Sequence, residues 1–121
     1  MLCDDVFLLA RVAGETVGFV QFGDAHRGRD GYRPFGAQPG DKEVRRLYIL
    51  AAFQDRGLGS SLMDAALAGL AGKAVFLDVW EDNEGARRFY ERYGFQRVGT
   101  RAFRTASGDV TGVDLVMVRR P

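Results

Sequence analysis

The chain has 121 residues, 46% of them hydrophobic and 27% charged, which suits a single domain with one core and excludes a disordered chain. A formal net charge of +1 gives no reason to expect nucleic acid or a membrane surface as partner, and no apolar run is long enough to span a bilayer. The lone cysteine, Cys3, excludes an internal disulfide; with no signal peptide in view, the expected setting is soluble, reducing and cytoplasmic.

Val6–Val12 and Thr16–Phe22 are apolar-rich runs joined by Ala13-Gly14-Glu15, a β-hairpin pattern. The stretch 23–41 differs: five glycines and two prolines stand among charges, with Tyr32 and Phe35 as its bulky apolar groups. A connection this long inside a compact domain is functional or mobile. Mobility is the favoured reading, with Tyr32 and Phe35 folding over a bound substrate as the alternative. His26, within it, reads as a surface residue.

Lys42–Leu50 reads as the central strand. Behind Gln54-Asp55-Arg56-Gly57-Leu58-Gly59-Ser60, the residues Leu58, Leu62, Ala66 and Leu70, flanked by Met63 and Leu67, recur at helical spacing, so a helix is expected from Gly57 to about Ala71 with Gly72 closing it. Ala74–Trp80 reads as a buried strand parallel to the central one, with core packing the favoured role for Trp80 and substrate stacking the alternative. Asn83–Tyr93 reads as a second helix with Ala86, Phe89, Tyr90 and Tyr93 on one face and Gly94 as its left-handed stop. A last hairpin, Phe95–Phe103 and Thr111–Arg119, turns across Ser107-Gly108-Asp109. Strand, helix, strand, helix between two hairpins predicts an α/β fold, a mixed sheet with helices packed on it.

The glycine-bearing turn is the stretch with chemical content. Gly57 and Gly59 leave no side chains in the way, and the first N–H groups of a helix lack partners at the positive end of its dipole. Such a turn cradles phosphate, here a pyrophosphate; the plain alternative is an ordinary glycine-rich strand–helix connection. No lysine follows the second glycine, which argues against a P-loop.

Gln54-x-x-Gly57-x-Gly59, followed by Asn83-Glu84-Gly85-Ala86-Arg87-Arg88-Phe89-Tyr90 and Tyr93-Gly94-Phe95, resembles the GNAT superfamily of N-acetyltransferases in order and spacing from about Asp4 onward. The resemblance implies a GNAT-like mixed sheet whose splayed parallel strand pair binds coenzyme A, with acetyl-CoA as co-substrate, no metal, and direct transfer to a primary amine of a small molecule or protein. It implies that Gln54, Asp55, Arg56, Gly57, Leu58, Gly59 and Ser60 hold the pyrophosphate, with the Arg56 side chain on a phosphate or in solvent. It also implies that the backbone of Leu47, Tyr48 and Ile49 binds the pantetheine arm and thioester oxygen; sheet pairing and core packing are their plain roles. Asn83 and Ala86 would meet the arm, Asn83 serving also as helix cap. Tyr90 would protonate the departing thiolate, its plain alternative being a core aromatic. Glu43, eleven residues before Gln54, matches the glutamate base of the histone acetyltransferase branch; its alternative is a solvated charge.

GNAT domains also carry a strand and one or two helices ahead of the first hairpin, which this sequence does not display. A non-catalytic coenzyme A-binding module, or a half-site completed by a partner chain, is therefore the second expectation, and a homodimer is favoured over a monomer.

Overall fold

A computed structural model describes residues 5–25 and 31–121; Cys3 and His26 lie outside them. The elements run β1 (Val6–Val12), β2 (Glu15–Asp24), β3 (Lys42–Ile49), α1 (Leu58–Ala68), β4 (Val75–Trp80), α2 (Glu84–Arg92), β5 (Gln96–Arg104) and β6 (Val110–Arg119). Short 3-10 turns occupy Arg33–Phe35 and Ala51–Phe53. One sheet of order β1-β2-β3-β4-β6-β5 holds all six strands. The β3–β4 pair is parallel and the other neighbours are antiparallel, which is the expected mixed α/β arrangement. No helix among the described residues is long and apolar enough to cross a membrane.

Strand alternation sorts the side chains onto two faces. Val75, Leu77 and Val79 of β4 join Leu62, Ala66 and Leu70 behind the sheet, with Leu115 and Met117 of β6, and Ala86, Tyr90 and Tyr93 of α2 pack against this cluster. Both helices therefore cover one face. Each fully buried side chain of this size contributes about 1.5–3 kcal/mol. On the other face Phe76, Val116 and Val118 pack under Tyr32, Ala37 and the half-buried Phe35.

Two readings of the sequence need correcting. Helix α1 stops at Ala68 because Gly69 takes the C-cap position, its N–H drawn to Ala65 and Ala66 carbonyls; Gly72, at φ +80°, turns the chain beyond the helix. Leu70 still reaches the core. Trp80 is 55% exposed instead of packed. It follows Phe76 and Asp78 on the face away from the helices, but the segment that covers Phe76 does not extend over it.

The described parts of the 23–41 connection, 23–25 and 31–41, are packed rather than loose. β2 continues to Asp24, and 31–41 lies docked on the sheet. Tyr32, only 3% exposed, stacks on Phe76 with ring centroids 5.2 Å apart. Phe35 seats on Gly99 of β5, where a Cβ would stand 2.5 Å from the ring. The Arg101 guanidinium lies 4.8 Å from both the Tyr32 and Phe35 ring centres. We refer to Gly31–Ala37 as the strap.

Candidate functional site

Strand β3 pairs with β4 only at Lys42–Val75 and Glu43–Phe76. Beyond Glu43 the two strands part, and backbone that a sheet would consume is left open. The Leu50 N–H bonds to the Val17 carbonyl, so antiparallel alternation turns the Tyr48 backbone towards β2 and that of Leu47 and Ile49 towards the splay. The Gln54 amide donates to the Ile49 carbonyl at 3.0 Å. Leu47 N–H and C=O and Ile49 N–H are left facing the gap. The Tyr48 side chain, 51% exposed, lies on the opposite face against Phe19.

The turn into α1 prepares a second set of open donors. Asp55 and Gly57 both take positive φ, +63° and +77°, curling the chain so that α1 starts at Leu58 with no side chain capping it. Ser61 N–H is the first to find the Gly57 carbonyl, leaving the N–H groups of Leu58, Gly59 and Ser60 unspent at the dipole's positive end. A Cβ on Gly59 would touch only the Phe89 ring, at 3.9 Å, so the glycine keeps a wall of the cleft low without being demanded by the core.

These groups line one cleft of about 420 Å³, bounded by Leu47, Ile49, Gln54, Asp55, Gly57, Leu58, Gly59 and Ser60 on one side and Ala86, Phe89, Tyr90 and Arg92 of α2 on the other. Phe53 completes it, with the Arg56 guanidinium 5.2 Å from its ring centre; Arg92 stacks likewise on Phe89 at 5.8 Å. Phe53, Phe89 and Arg92 were not picked out from the sequence as site residues. Their signal was there: Phe89 and Arg92 lie at i and i+3 on the helix that carries Tyr90.

Helix α2 is held in register by its ends. Asn83 caps it, accepting from Ala86 N–H at 3.1 Å, and Arg119 donates to the Tyr93 carbonyl at 2.8 Å. The Tyr93 hydroxyl reaches Ser60 O at 3.1 Å and Asp64 Oδ1 at 3.0 Å, tying α2 to the first turns of α1. Tyr90 stacks edge-on against Phe89 and Phe95, and no hydrogen bond to its hydroxyl exists among the described residues. Burial pushes the Tyr90 phenol above its ordinary range, so it stays protonated through neutral pH.

Glu43 sits on the other face of the sheet, at the last paired position before the splay. The Tyr32 hydroxyl donates to its Oε2 at 2.7 Å, and Arg45 pairs with Oε1. Arg45 in turn holds Asp5 at 2.7 Å. Burial pushes the Glu43 carboxyl up, against the opposing pull of the Tyr32 hydrogen bond and the Arg45 charge. Two residues beyond the last β4 pair stands Asp78, which the sequence did not single out. Arg101 holds its Oδ2 at 2.9 Å, while Oδ1 is buried with no partner among the described residues. Asp78 and Asp114 share this face, and burial together with the Asp78 charge pushes the Asp114 carboxyl up. The splay thus separates a helix-side cleft of open backbone donors from a strap-side cluster of carboxylates.

A family model described as the acetyltransferase (GNAT) family matches residues 2–95. The N-alpha-acetyltransferase RimI of Mycobacterium tuberculosis is 34% identical over 111 residues, covering 92% of this chain and 63% of that protein. The chain thus spans less than two thirds of the length of this relative. Ard1 from Thermoplasma volcanium is 27% identical, with a TM-score of 0.73 over 93% of this chain and 68% of its own. The PaiA N-acetyltransferase of Thermoplasma acidophilum, solved in complex with coenzyme A, shares the fold with a TM-score of 0.67 at 20% identity, covering 98% of this chain and 62% of its own. From the match across residues 2–95, the 34% identity to RimI and the shared fold, the chain belongs to the acetyltransferase (GNAT) family.

Proposed function

We propose that the chain is an acetyl-CoA-dependent N-acetyltransferase that moves an acetyl group directly onto a primary amine of a small molecule or protein. The observation that carries this reading is the convergence of unspent backbone donors from β3 and α1 on the cleft that also receives the unpartnered Tyr90 hydroxyl. Donors without a protein partner at a helix start fit a pyrophosphate, and an open strand edge fits an amide-bearing arm. A relative named as an N-alpha-acetyltransferase and a structural neighbour solved with coenzyme A support the same choice.

In this reading Leu58, Gly59 and Ser60 N–H groups hold the pyrophosphate, with Arg56 and Arg92 beside them. Leu47 and Ile49 present backbone groups to the pantetheine arm, with Ala86 and Asn83 on the facing helix. Acetyl-CoA supplies a thioester; transfer forms the C–N bond and breaks the C–S bond. A strand N–H polarises the carbonyl oxygen, and the Tyr90 hydroxyl gives its proton to the departing sulfur. Burial keeps the Tyr90 phenol protonated through neutral pH, so its proton is in place when the thiolate, about as basic as that of cysteine, departs. The incoming ammonium loses one proton to the carboxylate side, for which Glu43 is the candidate base; the nitrogen sheds its second proton as the C–S bond breaks, and that proton restores the Tyr90 phenol.

The test is thiol release from acetyl-CoA across a panel that includes spermidine and short peptides with free amino termini. Release that depends on the amine supports the transferase. Thermal protection by acetyl-CoA with no amine-dependent release would leave a coenzyme A-binding module instead.

A further inference from the structure

We propose that Tyr32, carried by the strap, is a positioning residue for Glu43, fixing the carboxylate at the apex of the splay in the orientation and protonation state that amine deprotonation needs. This rests on the reading of Glu43 as the base. The geometry carries the argument. Glu43 occupies the last paired position of β3, so its side chain stands where the strands part. The Tyr32 hydroxyl is 2.7 Å from Oε2, while Arg45 holds Oε1, and both carboxylate oxygens are therefore directed.

The strap that delivers the hydroxyl is locked from three directions. The Tyr32 ring lies on Phe76 of β4, Phe35 fills the space above Gly99 of β5, and Arg101 bridges both rings while bonding Asp78 and the Gly31 carbonyl. A tyrosine needed only for packing would not require its hydroxyl to meet a carboxylate; a phenylalanine would fill the same space over Phe76. The hydroxyl is instead spent on Glu43, and the charges of Glu43 and Asp78, with burial, hold the phenol in its neutral, donating form.

The groups that act on Glu43 are Tyr32 from the strap, Arg45 from its own strand, Asp78 from β4 and Arg101 from β5. Burial and Asp78 raise its proton affinity, whereas Tyr32, Arg45 and Arg101 lower it. Removing the Tyr32 hydroxyl therefore raises the Glu43 pKa. A base is active when deprotonated, so the acid limb of the rate profile moves to higher pH.

Three samples test this: wild type, Tyr32→Phe and Glu43→Gln, each followed by carbon-13 NMR titration of side-chain carboxyls. Each is also followed by the pH dependence of thiol release with whichever of spermidine or a free-amino-terminus peptide is accepted. Tyr32→Phe is expected to raise the Glu43 carboxyl titration and the acid limb together by about one pH unit, with acetyl-CoA affinity unchanged. A Glu43 titration that stays in place in folded Tyr32→Phe overturns the proposal. If Glu43→Gln keeps the acid limb, Glu43 is not the base, and both the reading and the proposal fall. If Glu43→Gln removes the limb while Tyr32→Phe leaves it unmoved, only the Tyr32 proposal falls. Should Tyr32→Phe melt below the assay temperature, 3-fluorotyrosine at position 32 keeps the ring and sharpens the donor. It is expected to move the titration down, and no movement there equally overturns the proposal.

Discussion

On the helix side of the splay, the N–H groups of Leu58, Gly59 and Ser60 and those of Leu47 and Ile49 have no partner among the described residues. On the strap side, both Glu43 oxygens are engaged, and Arg101 is shared among Asp78, the Tyr32 and Phe35 rings and the Gly31 carbonyl. The first region offers backbone donors, which in the proposed function meet the phosphates and amides of coenzyme A. The second is made of side chains from four separate elements. Substitutions should therefore break binding on one side and alter proton handling on the other.

The largest break is expected at Tyr90. Tyr90→Phe keeps the ring against Phe89 and Phe95 but removes the hydroxyl that α2 offers the cleft. Turnover is expected to fall on the order of 10²–10⁴-fold, with melting temperature and acetyl-CoA affinity nearly unchanged. A destabilised protein with near-normal turnover would return Tyr90 to a packing role.

Next comes Gly59. Its Cβ position has room against Phe89, so Gly59→Val should fold while placing bulk in the cleft. Losing the close approach of charge-assisted donors is expected to weaken acetyl-CoA by about 10–100-fold, read by calorimetry. Unchanged affinity in a folded variant would put the phosphates elsewhere.

The smallest effect sharpens the contrast from the other side. Gly99→Ala sets a Cβ 2.5 Å from the Phe35 ring, so the strap must shift. A loss of about 1–2 kcal/mol is expected, read by denaturant melts, with acetyl-CoA affinity untouched. A parallel loss of affinity would mean that the two sides are not independent.

The two regions also differ in how far the sequence revealed them. The glycine turn, the Asn83 cap, the Gly94 stop and the strands around them are local signals, written within a few consecutive residues, and the β1 bounds agree with the sequence reading to the residue. α1 came out short because one glycine, Gly69, outweighed an apolar repeat that runs on to Leu70. The strap side was hidden for a different reason. Arg101 reaches Asp78 across 23 positions and Gly31 across 70, and Tyr32 reaches Glu43 across 11, through a connection whose composition reads as loop. No periodicity encodes such pairs; only the sheet order brings β3, β4 and β5 side chains under one segment. Trp80 shows the same limit, since an apolar strand end reads as core until the cover above it is known to stop short.

If the splay and the α1 start together form the coenzyme site, titrating acetyl-CoA into nitrogen-15-labelled protein shows it in the amide shifts. The largest shifts are expected at Leu47, Ile49, Leu58, Gly59 and Ser60, with Tyr90 and Ala86 following and the β1–β2 turn at Gly14 silent. Shifts centred on β1 and β2, or none at these five amides at saturation, would contradict it.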